Sequence, residues 1–306
     1  MNSRKVAVLS DIHSNYHAFQ ACYEDALQQG ADSFIFLGDF VSDLAEPERV
    51  MDLLYKIQSS YPTLCLRGNR ERYMIEQENG ISKFTRGSKC GSLLFTYEHL
   101  RKHDIEFFKN LQMSSAVNIN GIPIEIAHAA MENDRCYFDS NDNRIEQIFT
   151  QMNCEYLLTG HSHKQYILNR DGKTIVNPGS VGIPQGGTIW PQYAIMEFMD
   201  GNISFALREV PYDMRDIIHA QFASGLVDYA KFWAIGILYD IITGEEWVLK
   251  LLKTVQSSGN ILDELEWQKA AIDLGMKFAE DEITAFLHDR SALQTAGASP
   301  RPTISD

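Results

Sequence analysis

Residues 5–13 read Lys-Val-Ala-Val-Leu-Ser-Asp-Ile-His, an apolar run of strand type that ends in a carboxylate and an imidazole. The same pattern recurs four times. Phe34 to Leu37 runs into Gly38-Asp39, and Thr63 to Leu66 into Gly68-Asn69-Arg70-Glu71. Ile122 to Ala127 runs into His128, and Tyr156 to Leu158 into Gly160-His161-Ser162-His163. Short apolar runs that stop at Gly, Asp or Asn read as buried strands with turns at their ends. Polar side chains just past the ends of neighbouring strands in an α/β sheet converge on one crevice, where such folds bind ligands. Taken singly, each motif has an ordinary explanation: a helix cap, a tight turn, a satisfied histidine at a strand end. Five of them in series argue for one site.

The chemistry of that set is specific. Asp11, His13, Asp39, Asn69, His128, His161 and His163 offer oxygen and imidazole ligands without a thiolate, which suits Mn, Fe, Zn or Ni better than a structural zinc site. Seven ligands exceed the needs of one ion. A pair of ions about 3.5–4 Å apart sharing a carboxylate accounts for all seven and is common machinery for displacement at phosphorus. In an extended chain, Asp11-x-His13 would place both side chains on one face, so one ion could take both. His161-x-His163 has the same spacing and could share an ion or serve one each.

These motifs resemble the calcineurin-like metallophosphoesterases, whose pattern is D-x-H, G-D, G-N-H-[DE], a lone His after a strand, and G-H-x-H. The resemblance spans roughly residues 4 to 210, and the turn Asn177-Pro178-Gly179-Ser180 and the helical stretch Thr96 to Leu111 also look like the family. It implies one cation on Asp11, His13, Asp39 and His163, a second on Asp39, Asn69, His128 and His161, and Asp39 as the bridge. It further implies hydrolysis by in-line attack of a metal-bridging hydroxide, with Asp39 and Asn69 as catalytic residues and Mn as the first expectation for the metal; Arg70 joins them as a catalytic and substrate-binding candidate on its own chemistry. One position departs from the pattern. Arg70 stands where most members carry histidine, and arginine can clamp a phosphate oxygen but cannot donate a proton as a general acid. This shifts the expectation toward phosphodiesters or activated esters. His17 would replace the lost acid only if its helix turned it toward the pocket. Asn15 is a candidate substrate contact or a brace for its own loop, and Glu71 a supporting acceptor or a plain surface glutamate at a helix start.

Composition narrows the class. With 27 basic against 41 acidic residues, the net charge of −14 argues against a protein that tracks a nucleic-acid backbone. Local positive charge, from metals and from Arg67, Arg70 and Arg72, must attract phosphate. Cys22, Cys65, Cys90, Cys136 and Cys154 show no paired spacing, and the start lacks a secretory pattern, so reduced thiols in a cytoplasm are expected. The longest apolar stretch, Tyr229 to Ile242, contains Lys231 and Asp240 and falls short of the roughly 18 residues of a membrane span, so it reads as a buried helix.

The expected fold is α/β, a four-layer α/β/β/α sandwich of two mixed sheets flanked by helices, with a C-terminal all-α extension. Periodicity supports α/β; the two stacked sheets come from the resemblance. Residues 1–211 form the expected phosphoesterase domain, 212–290 a helical domain, and 291–306 a Ser, Ala, Thr and Pro-rich disordered tail. The helical part is a cover for the sheets, or alternatively a lid or a dimer surface, and homo-oligomerisation is left open. The expected partner is a small phosphate ester or nucleotide, with no membrane. The alternatives are a protein-interaction scaffold on the same fold and a phosphomonoesterase or protein phosphatase.

Overall fold

A computed structural model describes residues 4–131, 133, 136–199 and 201–297. The first half alternates strands and helices: β1 (Arg4–Leu9), α1 (Tyr16–Gln28), β2 (Ser33–Phe36), α2 (Pro47–Ser60), β3 (Thr63–Cys65), α3 (Asn69–Glu78), α4 (Gly91–His99) and α5 (Lys102–Asn110). Then come β4 (Ser114–Ile119), β5 (Ile122–Ala127), α6 (Ile145–Gln151), β6 (Tyr156–Leu158), β7 (Gln165–Arg170), β8 (Lys173–Pro178), β9 (Gln192–Met199) and β10 (Asn202–Glu209). The strands form two five-stranded sheets, ordered β10-β9-β1-β2-β3 and β4-β5-β6-β8-β7. Parallel and antiparallel pairs occur in both, so both sheets are mixed.

Strand periodicity explains the layering. In β1, Val6 and Val8 face the second sheet, packing with Ile35, Leu37, Ile124, Ile126, Leu158 and Val176. Ala7 and Leu9 point the other way, into a core built with Phe19 and Cys22 of α1 and Val50 and Leu54 of α2. The outer face of the second sheet packs Leu157 and Ile175 against Ile145 and Phe149 of α6. Both faces of β1 and β2 are covered, which is why they read as unbroken apolar runs. The four-layer α/β/β/α expectation holds.

Local departures have clear causes. The helical stretch from Thr96 to Leu111 comprises the end of α4 and the whole of α5, separated where Leu100 and Arg101 are extended (ψ 143° and 155°). Strand β4 escapes sequence reading: Ser-Ser-Ala-Val-Asn-Ile has little apolar content and gains its partner only by pairing with β5. The hairpin turn Asp171-Gly172 is as read, with φ of 47° and 77° closing β7 onto β8.

The helical region comprises α7 (Met214–Ala223), α8 (Leu226–Thr243), α9 (Trp247–Ser258), α10 (Glu264–Asp273) and α11 (Glu280–Gly297). α11 runs to Gly297, and residues 298–306 lie outside the described residues. Val248, Leu251 and Val255, which fall on one face of α9, pack with Ile237, Leu238 and Ile241 of α8. This region also packs on the sandwich: Leu44, Ile183 and Ile189 belong to its core, and Ala45 and Phe95 pack with Leu226, Ala230 and Ala234. Among the described residues no helix is long and apolar enough to cross a membrane.

Gly38 joins β2 to the motif that follows it. Its φ is +98°, and a Cβ there would lie 2.4 Å from the backbone nitrogen of Gly68. Backbone cannot yield as a side-chain tip can, so Gly38→Ala should destabilise by about 1–3 kcal/mol. Thermal unfolding monitored by circular dichroism tests this, and an unchanged midpoint would refute the packing described.

Candidate metal centre

The site lies at the carboxyl ends of β1, β2, β3, β5 and β6, where the chain leaves each strand in a sharp turn. Asp11, His13, Asp39, His161 and His163 all have positive φ, between 50° and 65°. The i, i+2 pairs therefore do not converge by extended alternation, as the sequence suggested. They converge through left-handed turns that cost L-residues free energy and cluster at functional sites. Hydrogen bonds hold these turns: Ile12 and His13 N–H donate to the Asp39 carbonyl at 2.8 and 3.0 Å, and Asp11 N–H to the Gly38 carbonyl at 3.0 Å.

Two groups of side chains result, Asp11, His13 and His163, and Asp39, His128 and His161, the candidate ligand atoms of each lying within 4.8 Å of one another. His161 and His163 thus go one to each group. Asp39 Oδ2 lies 3.4 Å from His128 Nε2 and 3.8 Å from His13 Nε2, between the two groups, and Asn69 Oδ1 is 3.1 Å from His128 Nε2. His13 Nε2 and His163 Nε2 are 3.0 Å apart. All seven sequence-predicted ligands are brought together.

The donor set fits cations for a reason that can be read atom by atom. His128 and His163 each engage a backbone carbonyl through Nδ1, of Leu37 and Ile183, both at 2.8 Å. That assigns the proton to Nδ1 and turns a lone pair on Nε2 inward. Facing these lone pairs are carboxylate oxygens and the Asn69 carbonyl, which only accept. Asp11 Oδ2 is satisfied by Ser10 Oγ at 2.6 Å and His161 N–H at 2.9 Å, whereas its buried Oδ1 has no hydrogen-bond partner. Acceptors converging in a buried cleft are stabilised by positive charge among them. The charge balance of the cleft reflects the same demand. Burial opposes charge on His128, yet beside Asp39 its proton affinity rises to about 10. Burial likewise opposes charge on Asp11, but the His163 imidazole draws its carboxyl down to about 2.

Supporting groups hold the turns. Glu71, the possible surface glutamate, is fully buried and accepts from the N–H groups of Asp39, Phe40 and Gly68 at 2.8, 2.7 and 2.7 Å. Burial and the Asp39 carboxylate push its own carboxyl up to about 7. Asn177 Nδ2 donates to the Gly160 carbonyl at 2.8 Å and Ser180 Oγ to the Asp11 carbonyl at 2.8 Å, so the Asn-Pro-Gly-Ser turn braces the first and last motifs.

Other expectations fail. Asn15 is 0% exposed and cannot be a substrate contact: its oxygen caps α1 at Ala18 N–H, and its amide donates to the Gly182 carbonyl and the Tyr212 hydroxyl. His17 faces away on α1, 3.0 Å from Glu46 and 3.7 Å from Asp216, and lines a separate cavity. It cannot replace the missing proton donor. Arg72 pairs with Glu76 at 3.0 Å, so of the three local arginines it is Arg70 that lines the cleft.

Three residues without a motif also belong here. Asp43, buried, lies 3.0 Å from Arg70 Nη2 and 3.3 Å from His13 Nδ1. Its only sequence signal is indirect, since an arginine at position 70 needs a carboxylate. Trp233 and Asp240 come from α8 and line the same cavity of about 200 Å³ as His13, Asp39, Asn69 and Arg70. Asp240 accepts from Val248 N–H at 3.0 Å, and burial lifts its carboxyl well above the usual range against the pull of the Val248 and Trp247 N–H groups, with Glu246 and Asp43 adding.

The chain belongs to the calcineurin-like phosphoesterase superfamily, whose domain matches residues 5–201. An uncharacterized protein of Methanocaldococcus jannaschii is 25% identical over 225 residues, 69% of this chain and 88% of its own. A metallophosphoesterase from Sphaerobacter thermophilus superposes with a TM-score of 0.60 at 20% identity, covering 75% of this chain and 98% of its own. A hypothetical protein from Pyrococcus horikoshii gives 0.65 at 18% identity, covering 75% and 97%. At these identities the two structures speak to the fold alone. Family membership supports a hydrolase of the phosphoesterase kind that takes divalent metal.

Two stability outcomes follow. Glu71→Ala leaves three buried N–H groups without their acceptor and should cost about 3 kcal/mol or more while lowering bound metal; a melting temperature and metal content equal to wild type would contradict the brace. Asp240 has a folded-state pKa above its unfolded value, so its contribution is fully present below about pH 4 and lost as pH rises through the folded pKa. Asp240→Asn should therefore gain stability relative to wild type as pH increases, and parallel stability profiles of the two proteins would exclude this.

Proposed function

We propose that the chain is a metal-dependent phosphoesterase acting on phosphodiesters or nucleotides, with residues 1–211 as its phosphoesterase domain and 212–290 as a helical C-terminal domain. One cation would be held by Asp11, His13, Asp39 and His163 and a second by Asp39, Asn69, His128 and His161. The observation that carries this reading is Asp39 Oδ2 poised between two largely buried groups of candidate ligands, with Arg70 Nε 3.9 Å away. When bound, divalent ions supply Lewis acidity and activate water near neutral pH; Mn is the first candidate.

The chain's own residues supply position and charge. Arg70 is held by Asp43, and burial against charge is outweighed by the Asp43 and Asp39 carboxylates, so its guanidinium stays protonated. It can bind a phosphate oxygen and stabilise charge developing on it. It cannot hand a proton to a departing alkoxide. Esters with good leaving groups, and diesters among them, therefore suit the site better than alkyl monoesters. His128 and His163, oriented through Leu37 and Ile183, keep a fixed tautomer without reorganisation.

With Mn²⁺, turnover of an aryl phosphodiester should exceed that of an alkyl phosphomonoester, and Asp39→Asn should lower it by about 100-fold along with bound metal. Equal rates on both esters would reject the leaving-group argument. Loss of metal with no loss of turnover would reject the centre itself, and a wild-type chain that binds metal yet hydrolyses nothing would favour a scaffold.

A further inference from the structure

We propose that Trp233 is a positioning residue of this site, and that the C-terminal helical region thereby sets the orientation of Arg70. The inference rests on the reading of Arg70 as the phosphate clamp.

Asp43 divides its two oxygens between scaffold and site. Oδ1 accepts from the Trp233 indole N–H at 2.9 Å and from Ser92 Oγ at 3.1 Å. Oδ2 faces Arg70 Nη2 at 3.0 Å and His13 Nδ1 at 3.3 Å, and accepts from Ser42 Oγ at 3.1 Å. The carboxylate cannot rotate to improve one set of bonds without losing the other. Its backbone is constrained as well, since Ser42 and Asp43 have φ of 87° and 68°, strained for L-residues. Gln221 of α7, also buried, donates to the Asp43 carbonyl at 3.2 Å and to the Ala234 carbonyl at 3.4 Å, tying this turn to α8.

The helix is shaped to deliver the indole. α8 breaks at Lys231, with φ 45° and ψ −118°, two residues before Trp233. Beyond the break, Trp233 is set edge-on to the buried Trp267, with ring centroids 6.4 Å apart. A buried indole N–H could be satisfied by any carbonyl. Here it meets a carboxylate that itself grips the cleft's arginine, and a bond to a charged acceptor is about twice as strong as a neutral one. Trp233 thus acts on substrate through Asp43 and Arg70, and the family domain's cleft is completed by a segment C-terminal to that domain.

The test is a double-mutant cycle on the full chain loaded with Mn²⁺, with inorganic phosphate as the probe. Affinity is read by calorimetry, metal content by atomic absorption, and kcat and KM on an aryl diester where turnover is present. Trp233→Phe should weaken phosphate binding about tenfold, as expected for loss of one hydrogen bond to a charged group, with bound metal unchanged. In an Arg70→Ala background the same substitution should have no further effect. Ser92→Ala, which removes the other donor to Oδ1 and leaves the tryptophan packing intact, should act in the same direction and also vanish in that background. An equal loss with and without Arg70, or no loss in either single variant, overturns the proposal. Absence of turnover in wild type counts against the hydrolase reading alone, because phosphate affinity still reports the coupling.

Discussion

Carboxylate and imidazole lone pairs turned toward one another across 3–4 Å repel unless positive charge lies among them, and this requirement organises the molecule. Asp11, Asp39, His13, His128, His161, His163 and Asn69 come from five different strand ends, and no local preference would gather them. The gathering is enforced from behind. Backbone carbonyls fix two imidazoles, Glu71 ties the Asp39 and Gly68 turns together, and the Asn177 to Ser180 turn holds the first and last motifs in register. Strained φ values at five of the seven candidate ligand positions are the cost of this arrangement, borne by the packing of two sheets and their helices.

Arg70 sets the balance of charges in the cleft. A neutral imidazole could stand alone there, whereas a partly buried guanidinium is stabilised by a counter-ion. Asp43 is that counter-ion, and it is in turn contacted by His13, Ser42, Ser92 and Trp233. Arg70 is thus tied into a linked set of contacts reaching into α8. The apolar side chains Ile237, Val248 and Leu249 that wall the same cavity also come from this helical region, which is therefore a part of the cleft and not merely a cover.

Much of this was legible in the chain. The seven candidate ligand positions that the fold brings together, the strand that precedes each, the hairpin at Asp171-Gly172 and the buried character of α8 could all be read, because strand periodicity, turn chemistry and residue type leave marks within a few residues. The reason for the convergence was misread: Asp11 and His13 meet through left-handed turns, which look no different in sequence from an extended run. Strand β4 was invisible since its stability comes from pairing with β5.

What the order of residues could not carry was any relation between segments far apart. Asn15 and His17 follow the first motif closely and looked available, yet Asn15 is consumed by its helix cap and the Gly182 carbonyl, and His17 turns to Glu46. Conversely, Asp43 and Trp233 are 190 positions apart and belong to no motif, yet share a hydrogen bond that shapes the cleft. Residue type and local spacing constrain which chemistry a chain can perform, because ligand atoms and turns are local properties. Which side chains remain free to perform it depends on where their hydrogen-bonding capacity is already spent, and that is settled by packing between distant elements.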